Sequence, residues 1–299
     1  MVRIAAAVLL GLALGQVDPS YRQQLLTWRA DRLAELTADD GWLTVVGLFW
    51  MHEGQNHAGS GKGMDLTLAP PAPADFGTFA WQGERVTFIP AAGVTVRTAI
   101  QGARGTEATT PSAVTGAIAI ETDKTVLQQG SLQMVVIRRG QRVGLRVRDR
   151  DSAARRAFKG LEYFPIQESR RVRARYEAFD PPRRVPIVNV LGDQNDMISP
   201  GRLVFELDGV RHSLDALYET EEKKDLFIIL RDRTSGESTY PAGRYMHVPL
   251  PVKGETELDF NRAYNPPCAF TEFATCPLPP KQNWLKVKVE AGEKAFGHH

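Results

Sequence analysis

Two cysteines in 299 residues exclude a disulfide-dense scaffold and a four-cysteine zinc site. Histidine is nearly as scarce, six in all, and two of those end the chain as His298-His299, which read as a frayed tail or the remnant of a tag. An excess of one charge is missing too. Thirty-seven basic against 35 acidic residues leave +2, which argues against nucleic acid or an anionic membrane surface as partner. Beyond residue 15 no stretch approaches the ~20 apolar residues that cross a bilayer, so the mature chain is expected to carry no membrane anchor.

Several catalytic signatures are also lacking. Gly59-Ser60-Gly61 has neither the spacing nor the strand-turn-helix context of a serine-hydrolase elbow. The same stretch fails as a phosphate loop, because Asn56 and Gly63 stand where glycine and a hydroxyl residue are needed. His52-Glu53 has Asn56 in place of the second histidine of a zinc helix. No metal or cofactor is expected from these patterns.

What is present is an ordinary globular composition, 42% hydrophobic and 24% charged, long enough for one large core or two smaller ones. At the start, Arg3 precedes an apolar run from Ile4 to Leu14, and Ala13-Leu14-Gly15 places small residues where a signal peptidase cuts. Residues 1–15 therefore read as a signal peptide, and the protein as exported, periplasmic or extracellular. Gln16, not cysteine, would be the new N-terminal residue, so no lipid anchor is expected there. In an oxidising compartment Cys268 and Cys276, seven residues apart, are expected to close a disulfide, with free thiols, a metal site or a nucleophile as the other readings.

Residues 16–40 read as one amphipathic helix. Asp18 suits the cap and Pro19 the first turn, with Leu26, Ala30, Leu33 and Leu36 on one face and an end near Thr37. From Trp42 the period changes to two. Short runs such as Arg85 to Ile89, Leu132 to Arg138 and Gly144 to Arg148 alternate with turn signals. The second half repeats the pattern from Arg170 to Phe260, with Asp208-Gly209 as a tight hairpin and Leu285, Val287 and Val289 as a returning strand. The fold class is thus mainly β: two sandwich or barrel-like lobes at 41–150 and 183–297, joined by a salt-bridged connector at 151–182 that ends in the Asp180-Pro181-Pro182 break.

Four stretches carry a resemblance: GWLTVVGLFWMHEG (41–54), RVGLRVRDRDSAARRAFKGLEYFPI (142–166), RDRTSGESTYPAGRY (231–245) and LDFNRAYNPPCAFTEFATCPLPPKQNWLKVKVEAGEK (258–294). Together they resemble a bacterial and archaeal family of unknown function, which implies a β-rich fold and no assigned activity. The N-terminal part is also similar to forkhead-associated sandwiches, although the phosphothreonine-reading loop of those domains has no counterpart in residues 73–78.

The polar residues of the last two stretches are the candidate site. In an extended chain Asp259, Asn261 and Asn265 share a face, with Arg262 and Tyr264 between them and Pro266-Pro267 stiffening the chain beyond. Arg231, Asp232, Thr239, Tyr240 and Arg244 lie on the preceding hairpin, and an arginine fork favours a carboxylate or phosphate. Arg244, Tyr240, Asp259, Asn261, Tyr264 and Asn265 are expected to floor a pocket for a small polar or anionic ligand. A hydrolase with Asp259 as general base and Arg244 stabilising negative charge is the alternative, and an envelope protein without a pocket the third reading.

Overall fold

The computed structural model describes residues 17–100 and 112–297, so the signal reading for residues 1–15 falls outside them. The first helix runs Pro19–Thr37, and the Asp18 carboxylate accepts from the Tyr21 amide at 2.8 Å, as cap chemistry requires. Its buried face differs from the expected one. Tyr21, Leu25, Arg32 and Leu36 point inward, while Leu26 and Leu33 stay 42% and 41% exposed. Two polar-headed side chains are the reason. The Tyr21 hydroxyl and the Arg32 guanidinium meet buried acceptors from the far end of the chain, and their apolar stems pack on the way.

Residues 45–149 build two facing sheets. One has six strands in the order Val45–Trp50, Arg142–Asp149, Leu132–Arg139, Thr125–Gln129, Arg97–Ile100, Ser112–Ala113. The other has five, in the order Leu66–Thr67, Gly54–Gly59, Gly77–Gln82, Arg85–Pro90, Ile118–Ile120. Alternation explains the packing: Met134 and Val136 enter the core with Leu145, Phe79 and Phe88, whereas Val135 and Ile137 face a smaller cluster with Val126.

The rest of the β structure is a four-stranded sheet, Val210–Ala216, Gln194–Leu207, Arg171–Val188, Glu255–Asp259, and a two-stranded ladder, Leu226–Leu230 with Arg244–Val248. The strand Leu226–Leu230 is buried throughout, because Ile228 faces the core of Leu203, Phe205 and Leu258 while Phe227 and Ile229 face Val185, Tyr245 and Cys276. All these sheets are open, so the fold is mainly β without a closed barrel among the described residues. Asp208-Gly209 makes the expected tight turn, both residues at positive φ (52° and 74°) between paired Leu207 and Val210.

The connector holds a short helix, Ala153–Ala157, capped by Ser152, and Arg155 ties it to Asp39 at 2.8 Å. Two sequence expectations need correction. The Asp180-Pro181-Pro182 break lies inside one continuous strand, Arg171–Val188, where a register shift between Ala178 and Arg183 absorbs the prolines that cannot donate to the ladder. The returning strand at 285–289 does not form. Leu285 and Val289 are buried, but the carbonyls of Val289 and Ala291 are taken by the Arg244 guanidinium instead of by a neighbouring strand.

Candidate functional site

The residues expected to share a hollow are brought close in sequence order but locked into separate networks. Arg244, 1% exposed, forks onto the Asp232 carboxylate at 2.8 Å and onto the carbonyls of Val289 and Ala291. Asp232 is itself committed, its Oδ1 accepting from the amide and hydroxyl of Thr234 at 2.7 and 2.6 Å. A second network centres on Asp259. Its Oδ1 accepts from the Tyr21 hydroxyl at 2.9 Å and from the Asn261 amide and side chain at 3.0 and 3.1 Å, and its Oδ2 lies 3.4 Å from Arg262 Nε. Burial and then the Asp259 carboxylate push the Tyr21 phenol well above its ordinary range.

Asn261 continues this network to the backbone of Gln167. Asn265 belongs to a third. Its amide donates to Glu293 Oε2 at 2.7 Å, and Arg32 meets Glu293 Oε1 at 3.1 Å. Tyr240 donates to the Cys268 carbonyl at 2.9 Å, and Tyr264 pairs through its backbone with Tyr245. Arg244 and Asp259 therefore sit in different networks, each holding irregular chain to a sheet. This is the physical reason the shared floor inferred from the sequence does not assemble.

The cysteine pair also departs from expectation. Both are free thiols, Cys276 buried and Cys268 half-buried, and the Cys268 amide donates to Cys276 Sγ at 3.1 Å. The neighbouring Cys276 thiol, with help from Tyr240, holds the Cys268 thiol below its ordinary range, whereas burial pushes the Cys276 thiol far up.

Beside these networks lies a cleft of about 740 Å³, within the size range of small-molecule sites. One wall is the end of the strand Arg171–Val188, with Val185, Ile187 and Val188; another is Leu278, Pro279 and Pro280; Pro241 and Ala242 close a third side. The walls are held rigidly. Leu278 donates to the Val188 carbonyl at 2.8 Å, and Val190 to the Cys276 carbonyl at 3.0 Å. At Gly243, φ is +97° and a Cβ would stand 2.4 Å from the Leu230 carbonyl and 2.7 Å from Pro279 Cγ, so only glycine lets this turn approach the proline wall.

Arg231, Lys281 and Trp284 also line the cleft, and the Arg231 guanidinium stacks over the Trp284 ring at 5.1 Å. Backbone bonds fix that pair: Arg231 donates to the Asn283 carbonyl at 3.1 Å and accepts from Leu285 at 2.8 Å. Fully buried Asn283 anchors the segment, its side chain accepting from the Asp215 amide at 2.7 Å and donating to the Asp215 and Ile229 carbonyls at 2.9 and 3.0 Å. The lining contains two cations and no carboxylate. The groove at Arg171 and Arg173 differs in this respect, since Glu257 and Glu255 pair its arginines.

Of the residues singled out in the sequence, Arg231 lines the cleft and the others do not. Trp284, Lys281 and Pro279-Pro280 are site residues that the sequence reading did not single out, although a tryptophan beside a proline pair and a lysine is a visible cue.

Comparison with known proteins adds a family without a function. Residues 156–294 match a family described as a protein of unknown function, DUF1684. An uncharacterized protein of Haloarcula marismortui, solved by solution NMR, is 36% identical, the alignment covering 48% of this chain and 81% of that one with a TM-score of 0.41. No curated protein matches. The family expectation drawn from the sequence is therefore supported over residues 156–294, which match the DUF1684 family of unknown function.

Proposed function

We propose that the protein binds a small anionic ligand with an apolar body, and that the ligand lies in the cleft between Val185–Val188 and the Pro279-Pro280 wall. The observation that carries this reading is the union of proline and aliphatic walls with Arg231 and Lys281, neither of which has an ion-pair partner among the described residues. Apolar walls take up the body of the ligand, and the guanidinium gives a fork for a carboxylate, sulfonate or phosphate. The indole face of Trp284, 47% exposed, offers a stacking surface for a flat ligand. No serine, cysteine, histidine or acidic residue lines this cleft, which favours binding over hydrolysis there. The proposed setting is extracytoplasmic, on the strength of residues 1–15 alone.

The experiment is thermal stabilisation against a matched series: 2-naphthoate, dodecanoate, 2-naphthol, dodecanol and acetate. A ligand that binds only the folded chain raises Tm by mass action. The apolar anions are expected to raise it, and the neutral and the short analogues to fail. Arg231→Ala and Trp284→Ala are expected to remove the shift. Equal shifts for 2-naphthol and 2-naphthoate, or unaltered shifts in both variants, overturn the proposal.

A further inference from the structure

The two thiols lie at a second place built for chemistry, apart from the cleft. Cys276 is 4% exposed and Cys268 half-buried, so Cys268 is the more open residue of the two and Cys276 the deeper. The 3.1 Å hydrogen bond from the Cys268 amide to Cys276 Sγ holds the two cysteines as neighbours. The Tyr240 and Tyr245 hydroxyls brace this stretch by donating to the carbonyls of Cys268 at 2.9 Å and Pro277 at 2.7 Å.

A third group makes the arrangement unusual. Arg146 is 5% exposed and stacks over the Trp42 ring at 5.1 Å, yet its Nε and Nη2 have no hydrogen-bond partner. Unpaired cationic groups are costly to bury. Burial, with Arg139 and Arg148 nearby, pulls this guanidinium down to about 10, and Cys276 is among the groups that act on it in the opposite sense. A thiolate at Cys276, the deeper of the two, would therefore be stabilised by this guanidinium.

We propose that Cys268 and Cys276 form a reactive dithiol that carries out thiol–disulfide exchange with small-molecule disulfides, Cys268 attacking and Cys276 resolving. In the first step the Cys268 thiolate bonds to one sulfur of the disulfide RSSR. The S–S bond breaks, and one RS⁻ leaves with the electron pair and takes up a proton. In the second step Cys276, losing its proton, attacks the Cys268 sulfur of the mixed disulfide and expels the second RS⁻. Two cysteine thiols are oxidised to one disulfide, one small disulfide is reduced to two thiols, and two protons pass from protein to product. The free pair in the structure is the reduced end of this cycle. This activity is independent of the proposed ligand cleft.

The test uses oxidised glutathione on the reduced full chain, with alkylation of remaining thiols and mass spectrometry of the products. The parent chain is expected to lose two hydrogens and retain no glutathione. Cys276→Ser is expected to accumulate one glutathione on Cys268, and Cys268→Ser to keep the Cys276 thiol free. A parent chain that retains both thiols in excess oxidised glutathione overturns the proposal, as does Cys268→Ser acquiring glutathione on Cys276 as fast as the parent reacts. Near-ultraviolet circular dichroism of each variant confirms that the comparison is between folded chains.

Discussion

The Arg244 guanidinium and the Asp232 carboxylate stand 2.8 Å apart with both side chains 1% exposed, and together they replace a missing strand. Arg244 supplies the donors for the carbonyls of Val289 and Ala291, and Asp232 Oδ1 accepts from the Val289 amide at 3.2 Å. An irregular segment thus meets its backbone hydrogen-bonding needs from one ion pair rather than from a ladder.

Removing one partner of this pair leaves the other charge buried and several carbonyls without donors. Arg244→Met is expected to cost about 3–5 kcal/mol. Urea unfolding checks this, and a loss under about 1 kcal/mol, typical of an exposed pair, contradicts it.

Glu293 gives a pH signature. Burial drives its carboxyl above its ordinary 4.5, outweighing the Arg32 guanidinium and the Asn265 amide that oppose the shift. A carboxyl with a raised folded-state pKa holds its proton more tightly in the folded chain. Its contribution to stability is therefore fully present below the ordinary value and lost as pH rises through the raised one. The stability of the parent minus that of Glu293→Gln, measured by urea unfolding from about pH 4 to about pH 8, should fall with rising pH across this window. A difference that is flat or rises contradicts the assignment.

The helix Pro19–Thr37 separates two adjacent leucines. Leu25 is fully buried and Leu26 42% exposed. Leu25→Ala is expected to cost about 2–5 kcal/mol, and Leu26→Ala to stay within about 0.5 kcal/mol. Chemical denaturation of the two variants checks this; equal losses would restore the Leu26 face read from the sequence.

Those two leucines also show where sequence reasoning stops. The Asp18 cap, the Pro19 start and the Asp208-Gly209 turn depend on neighbouring residues, and each forms where the sequence indicates. The inward face of the helix depends on Asp259 and Glu293, more than 200 residues away, so an apolar count preferred Leu26 and Leu33 over Tyr21 and Arg32. The same holds for the site. Arg244, Asp259 and Asn265 were recognisable as polar residues in a stiff, β-rich neighbourhood, but that description fits structural anchors as well as binding groups. The cleft joins Arg231 to Trp284 through backbone bonds set by buried Asn283, a long-range relationship with no local period.

Ligand occupancy of the cleft is tested most directly by amide and indole NMR shifts during titration with 2-naphthoate. Of the five tryptophan indole signals, that of Trp284 is expected to move, together with the amides of Arg231, Ala242 and Gln282, while those of Asp259 and Asn261 stay in place. Movement at Asp259 and Asn261 with a still Trp284, or no saturable movement anywhere, would contradict it.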